Sequence, residues 1–188
     1  GQARDYDQWA ELTGDSEWSW AASLDDFKAH EDHYSLDNSA NSLDPKIQER
    51  ARLHGSGGEW RVEKQRLRWE ILEAYAKAAI QTGIPATEDF NGGDNSGAGY
   101  FDVNQRSGWR WNTSKAFLRP IKKRPNLEIW THAQVTKLNL ITEADEQKKC
   151  ISVDVRSNGK DYTLDARLEV LLSAGAIGSP QILQLSGI

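Results

Sequence analysis

Two glycines three residues apart, Gly175 and Gly178, stand between the apolar run Val170–Leu171–Leu172 and the apolar segment Ser179–Ile188. A strand–glycine–helix joint can act chemically by presenting backbone N–H groups at the positive end of a helix, where phosphates and pyrophosphates bind. Gly175–Ala176–Ile177–Gly178 is not the GxGxxG dinucleotide fingerprint, so tight packing of a strand on a helix is the competing reading. Histidines are the next candidates. His30 and His33 lie three apart near a helix end and could hold a metal, but no third ligand follows at a defined spacing. His54 sits in a glycine-rich stretch and His132 between two strand patterns, and neither has a carboxylate nearby in sequence to orient it as a general base. The single cysteine, Cys150, opens a strand pattern with no histidine close to it, so it reads as structural, and no internal disulfide can form. The stretch 92–99, GGDNSGAG, lacks the Lys-Ser/Thr of a phosphate loop and reads as a flexible connection. Eight tryptophans are many for 188 residues, and Trp9, Trp18, Trp20, Trp109 and Trp111 fall in two short segments. Such rings can wall an apolar or cation-binding pocket, or simply pack a core.

These groups need elements to carry them. Residues 5–31 read as two helices, with Asp5 as a cap, Gly14 as a stop, and Ser16 or Ser19 capping the second. Residues 35–58 are polar, rich in Gly, Ser and Asn and interrupted by Pro45, so they read as a long loop. A short strand, EWRVEK, follows. The clearest helix is 65–82, where Leu67, Ile71, Tyr75 and Ala78 form one stripe, Leu72 and Ala79 lie beside it, and Gly83 ends it. A strand YFDVNQ comes next, and Thr113 or Ser114 caps a short helix ended by Pro120. From Asn126 the period changes to two, and LEIWTH, AQVTKLNLI, CISVDVRS, KDYTLDA and RLEVLLSAG read as consecutive strands. Asn158–Gly159 marks a type I′ hairpin turn. The last strand is apolar on both faces, which predicts full burial.

The formal net charge is −5. This argues against a general nucleic-acid binder, and the basic clusters at Arg61–Arg68 and Lys122–Arg124 read as a solvated helix face and loop. No apolar run reaches the ~20 residues of a membrane span. A chain without a disulfide fits a reducing cytoplasm. It opens on Gly1 and contains no Met, so a segment of a longer protein is expected.

Read together, Gly175 through Ile188 resemble the second signature of the GMC (glucose–methanol–choline) flavin oxidoreductases, whose closing Gly would follow Ile188. Gly1–Ala10, with Asp5–Tyr6–Asp7 and Trp9–Ala10, resemble the stretch after the family's first signature. Phe90–Asn91–Gly92 resemble its DFNG. Gly108, Arg110, Thr113–Ser114 and Phe117–Leu118–Arg119–Pro120 resemble a third family segment. Arg124–Leu127 and Thr131–Val135 resemble a fourth. The order matches the family over essentially the whole chain, and the closest flavour is choline dehydrogenase.

The resemblance implies an α+β / α/β fold: part of a Rossmann-like FAD-binding domain plus part of an antiparallel-sheet substrate-binding domain. Residues 1–34 would follow the first signature as a helical segment, 35–126 would belong mostly to the substrate domain, and 127–188 would return to the FAD domain. The cofactor would be FAD. Val135 would meet the adenine through its backbone, and Ala174 and Gly175 would lie beside the cofactor. The reaction would be oxidation of a primary alcohol to the aldehyde, with hydride passing to the flavin. No catalytic residue is expected here, since the family's catalytic His lies beyond the C-terminal end of the chain. The partners would be a small-molecule alcohol and the remainder of the parent enzyme, and the residues do not choose the electron acceptor. Two other readings stand beside this one: a non-catalytic remnant that kept the scaffold without flavin, and a metal enzyme on His30 and His33.

Overall fold

The computed structural model describes residues 2–37, 43–144 and 147–188. The chain forms two compact units, Gly1–Arg124 and Pro125–Ile188.

The first unit opens with α1 (Ala3–Thr13), stopped by Gly14 in the left-handed region at φ 69°. A 3₁₀ turn over Ser16–Trp18 follows. Ser19 caps α2 (Trp20–His30), its side chain accepting from the Ala22 N–H. α2 runs directly into β1 (Glu31–His33), and a 3₁₀ turn covers Tyr34–Leu36. The loop expected over 35–58 is interrupted by α3 (Pro45–Leu53). Pro45 starts this helix rather than breaking it, because the first turn needs no N–H from that position. Residues 54–58 are a loop as expected, and 38–42 lie outside the described residues.

β2 (Trp60–Val62) pairs parallel with β1, Glu31 against Trp60 and His33 against Val62. The connecting loop lies on the end of α2. A Cβ on Gly55 would come within 1.9 Å of the Lys28 carbonyl oxygen, and one on Gly58 within 2.2 Å of that of His30. Only glycine permits that approach. α4 (Glu70–Gln81) starts five residues later than its pattern suggested. Its apolar stripe is open to solvent, with Ile71 69% and Tyr75 75% exposed. The expected strand over YFDVNQ shrinks to a bridge between Val103 and Glu63, then β3 (Gln105–Arg106), which pairs with β4 (Trp109–Arg110). Neither Thr113 nor Ser114 caps the next helical segment. Asn112 does so, its Oδ1 accepting from the Lys115 N–H at 3.1 Å. A π turn (Ser114–Leu118) passes into α5 (Arg119–Ile121), so Pro120 sits within the first helical positions rather than ending the segment.

The second unit is an antiparallel sheet in the order β5 (Ala133–Thr142), β6 (Lys148–Ser157), β7 (Lys160–Asp165), followed by α6 (Gly175–Leu185). Asn158 at φ 51° and Gly159 at φ 76° make the β6–β7 turn the predicted mirror-image type. The strand predicted at LEIWTH does not form, and Trp130 instead packs edge-on against Tyr162 at 5.3 Å. The strand predicted at RLEVLLSAG is absent too, and Leu168 is 92% and Leu171 81% exposed. A strand exists only by pairing, and no described segment offers Val170–Leu172 an edge. α6 packs on β5 through Ser186, whose Oγ accepts from the Leu138 N–H at 2.9 Å and donates to the Ile182 carbonyl. Leu138, Val155 and Ile182 form the buried centre of this unit.

Candidate functional site

The first unit centres on two buried histidines, His33 and His54, 1% and 3% exposed. The β1–β2 pairing and the Gly55 approach bring them together. Their rings stack with centroids 3.8 Å apart and planes 23° apart. His54 is held between two carboxylates: Nδ1 lies 3.0 Å from Glu31 Oε2 and Nε2 2.8 Å from Asp89 Oδ2. Glu31 Oε2 also accepts from the Gly55 N–H at 2.9 Å. Asp89 accepts from the Asn91 N–H at 2.8 Å, the short turn implied by Asp89–Phe90–Asn91–Gly92. The Arg50 guanidinium stands 3.6 Å from the Asp89 carboxylate. His33 Nδ1 accepts from Ser35 (its hydroxyl at 2.7 Å and its N–H at 3.3 Å), which leaves Nε2–H to face Asp102 Oδ2 at 3.3 Å.

Burial opposes the charge on His54, but the hydrogen bonds to Asp89 and Glu31 outweigh it and lift its pKa to about 9. Burial likewise opposes the charge on Asp89, and there the bonds from His54 and the Asn91 N–H win and lower it to about 2. His54 is therefore an imidazolium clamped between two anions at neutral pH. No carboxylate stands beside this histidine in the sequence, because its partners lie 23 and 35 residues away. A cation with both N–H groups committed is no general base. His132 is exposed, in the left-handed region at φ 54°.

Donor atoms of Glu31, His33 and His54 lie within 4.8 Å of one another. The two rings lie in nearly parallel planes with centroids 3.8 Å apart, so their in-plane lone pairs stay in separate planes and do not converge on an ion ~2.1 Å from each nitrogen. Each of these ring nitrogens also has a polar partner already. The cluster therefore reads as a satisfied polar core. His30, half of the predicted metal pair, is not in it: its Nδ1 faces the Asp26 carbonyl at 2.8 Å.

Beside the cluster is a cavity of about 350 Å³, walled by Tyr6, Trp20, Phe27 and Trp60 and reached by Glu31 and Asp102. Of the tryptophans singled out in sequence, Trp20 lines it. Trp9 and Trp18 pair with each other at 6.4 Å and stay half exposed, Trp111 lies under the Arg106 guanidinium, and Trp109 is 75% exposed.

In the second unit the predicted cofactor residues are Val135, Ala174 and Gly175. Val135 pairs with Val155 beside an irregularity in the β5–β6 register and is half-buried. Ala174 and Gly175 are exposed at the start of α6. The helix begins there and not at Ser179–Pro180 as the pattern suggested. Ser179 instead reaches back, its Oγ accepting from the Ala174 N–H at 3.0 Å. Gly175 adopts φ +87°, and a Cβ there would meet nothing within 4 Å. Open space thus faces the backbone at the joint, and a flat or anionic group can approach it closely.

The GMC oxidoreductase family model matches residues 1–188. The chain belongs to the GMC oxidoreductase family. Among GMC relatives, it is 37% identical to oxygen-dependent choline dehydrogenase of Staphylococcus xylosus over all 188 residues, which is 30% of that protein. It is 35% identical to oxygen-dependent choline dehydrogenase 1 of Chromohalobacter salexigens, covering 100% of this chain and 31% of that one. The chain thus spans about a third of the length of the curated relatives it matches. Pyridoxine 4-oxidase from Mesorbium loti superposes on the whole chain with a TM-score of 0.78 at 29% identity, over 34% of its own length. An FAD-dependent oxidoreductase from Chaetomium thermophilum does so with a TM-score of 0.77 at 25% identity, over 32% of its length. The fold is accordingly that of a piece of a GMC oxidoreductase. No described helix is long and apolar enough to cross a membrane.

Proposed function

We infer that the chain serves the FAD-dependent oxidation of a primary alcohol, choline-like or other, to the aldehyde, as one part of a longer enzyme in a reducing cytoplasm. The observation that carries this reading is the match of all 188 residues to part of the GMC oxidoreductases, among them proteins named choline dehydrogenase. Residues 1–34 and 35–126 would supply the helical lead-in and most of the substrate-binding scaffold, and 127–188 the return to the flavin domain.

The residues at the joint fit such a cofactor. Gly175 leaves its outer side open, and Ala174 beside it is exposed. Val135, on the strand that packs against α6, would offer backbone groups to the adenine, and Ala174 and Gly175 would border the rest of the cofactor. Bound FAD would supply the acceptor for the hydride that leaves the alcohol carbon. The chain's own task is placement. Ser186 fixes the C-terminal end of α6 to β5. Taking the hydroxyl proton falls to a base outside this chain, since His54 is committed to Glu31 and Asp89.

The test is an absorption spectrum of the parent enzyme, titrated anaerobically with choline and with other primary alcohols. A flavin spectrum that bleaches on addition of an alcohol is expected. A colourless protein, or a flavin that no alcohol reduces, would overturn the reading. The 188-residue chain alone is expected to show no alcohol turnover.

A further inference from the structure

We propose that a second cavity of the first unit binds a small oxyanion of the phosphate or carboxylate class. Its volume is about 240 Å³, and α3, the segment after β2, α4 and the approach to Asp102 all lend it residues. Nothing in the proposal depends on the flavin reading.

The first observation is a pair of unanswered polar atoms. Among the described residues, the buried side-chain atoms without a hydrogen-bond partner are Arg50 Nη1 and Tyr100 Oη. Both residues line this cavity. Buried polar atoms are nearly always paired, so two unpaired ones on one cavity point to an occupant that pairs them. Arg50 Nη2 already donates to the Glu88 carbonyl at 3.5 Å. Asp89 does not satisfy Nη1. Its Oδ2 stands 3.6 Å away, beyond hydrogen-bond range, and already takes His54 at 2.8 Å.

The second observation is the chemistry of what is missing. A guanidinium nitrogen only donates, so the occupant must accept. A phenol hydroxyl can donate to the same group. Lys64 also lines the cavity, exposed and without an ion-pair partner among the described residues. The lining carboxylates are engaged or in water. Glu73 holds Arg68 at 3.0 Å, Asp102 faces His33 at 3.3 Å, and the Glu88 side chain is 91% exposed. A water molecule could accept from one of these donors but brings no charge to Arg50 and Lys64. An oxyanion brings both charge and several acceptor oxygens, and hydrogen bonds between ionised groups are about twice as strong as neutral ones. The volume is also ample, since one water takes only about 30 Å³ of liquid.

The experiment is calorimetric titration of the 188-residue chain, without flavin, using inorganic phosphate and acetate in separate arms. Sodium chloride at matched ionic strength is the control. Saturable binding of at least one oxyanion is expected, with chloride about tenfold or more weaker, and the stronger arm tells phosphate from carboxylate. Tyr100→Phe keeps the ring under Arg68 and removes only the hydroxyl. It should weaken the oxyanion about tenfold, the factor of one hydrogen bond to a charged group. The same variant without ligand should melt no lower than the wild type, because it loses a buried hydroxyl that had no partner. If Tyr100→Phe does not fold, Lys64→Gln, at an exposed position, should still weaken binding severalfold. Heat that does not saturate, chloride binding as tightly as the oxyanions, or affinity unchanged in the folded variants would overturn the site and leave a cavity filled by water. Flavin and turnover play no part in these readouts, so failure here leaves the alcohol-oxidation reading intact, and failure of that reading leaves this one.

Discussion

His54 shows how much a single residue can hold. Its two ring nitrogens join Glu31, at the end of α2, to Asp89, in the turn before Asn91–Gly92, so one side chain links segments far apart in sequence. Replacing it with Ala would leave two half-buried carboxylates facing each other. The expected cost is about 3 kcal/mol or more, read from urea unfolding, because removing one partner strands the other's charge. The pH dependence follows from the same bonds. The folded pKa of about 9 exceeds the ordinary 6.5, so this stabilisation is complete below 6.5 and falls away as pH rises through about 9. Asp89, lowered to about 2 from 3.8, contributes fully above 3.8 and is lost as pH falls through about 2. Stability measured against pH should therefore decline on the alkaline side near 9, and His54→Ala should remove that limb. A variant that still declined there with the wild-type amplitude would show the alkaline limb to come from other groups. The histidine could be seen in the sequence as an isolated residue in a glycine-rich stretch. Its carboxylates could not, because distance along the chain hides pairs that only the folded first unit brings together.

At the scale of elements, close approach of backbones does what long apolar faces do in larger cores. The 54–58 loop lies on the end of α2, with the His33 N–H donating to the Gly55 carbonyl at 3.0 Å and the Gly58 N–H to the Glu31 carbonyl at 3.1 Å. Gly55→Ala would drive a methyl to 1.9 Å from a carbonyl oxygen of α2, and backbone cannot rotate aside as a side chain can. A loss of about 3 kcal/mol or more in chemical unfolding is expected. Gly14→Ala, at positive φ but facing open space, should cost only about 1 kcal/mol. Similar losses for the two would show that the collision with α2 does not govern Gly55. Elements with local signals were legible: α1 and its Gly14 stop, the Ser19 cap, and the Asn158–Gly159 turn. Elements whose signal depends on neighbours were not. Pro45 reads as a breaker until it is known to be the first residue of a turn. Val170–Leu172 reads as a buried strand, yet no described segment offers it an edge. At the candidate cofactor site, Gly175 was legible as an unusual glycine, whereas Ser186 drew attention only within the family motif and not for its bonds.

At the scale of the whole molecule, the exposed surface is the telling quantity. The accessible area is 14281 Å² for 21.1 kDa. Much of it is apolar: Leu168, Leu171 and Ile177 are each more than four-fifths exposed, and Ile71 and Tyr75 more than two-thirds. Surfaces of this kind bind a hydrophobic dye and associate with one another. The purified chain is expected to enhance ANS fluorescence in native buffer and to sediment as species heavier than a monomer. A clean monomer that leaves the dye dark would contradict this. The ring contact between Trp130 and Tyr162 offers an optical handle on such a sample. The chain has eight tryptophans, and Trp130 is the one that falls within 125–188, with the other seven in 1–124. Trp130→Phe would thus make all tryptophan emission report the first unit alone. The signal lost in that variant, fed by energy transfer from a tyrosine 5.3 Å away, would report the second unit, so the difference between the wild type and Trp130→Phe would follow the melting of that half.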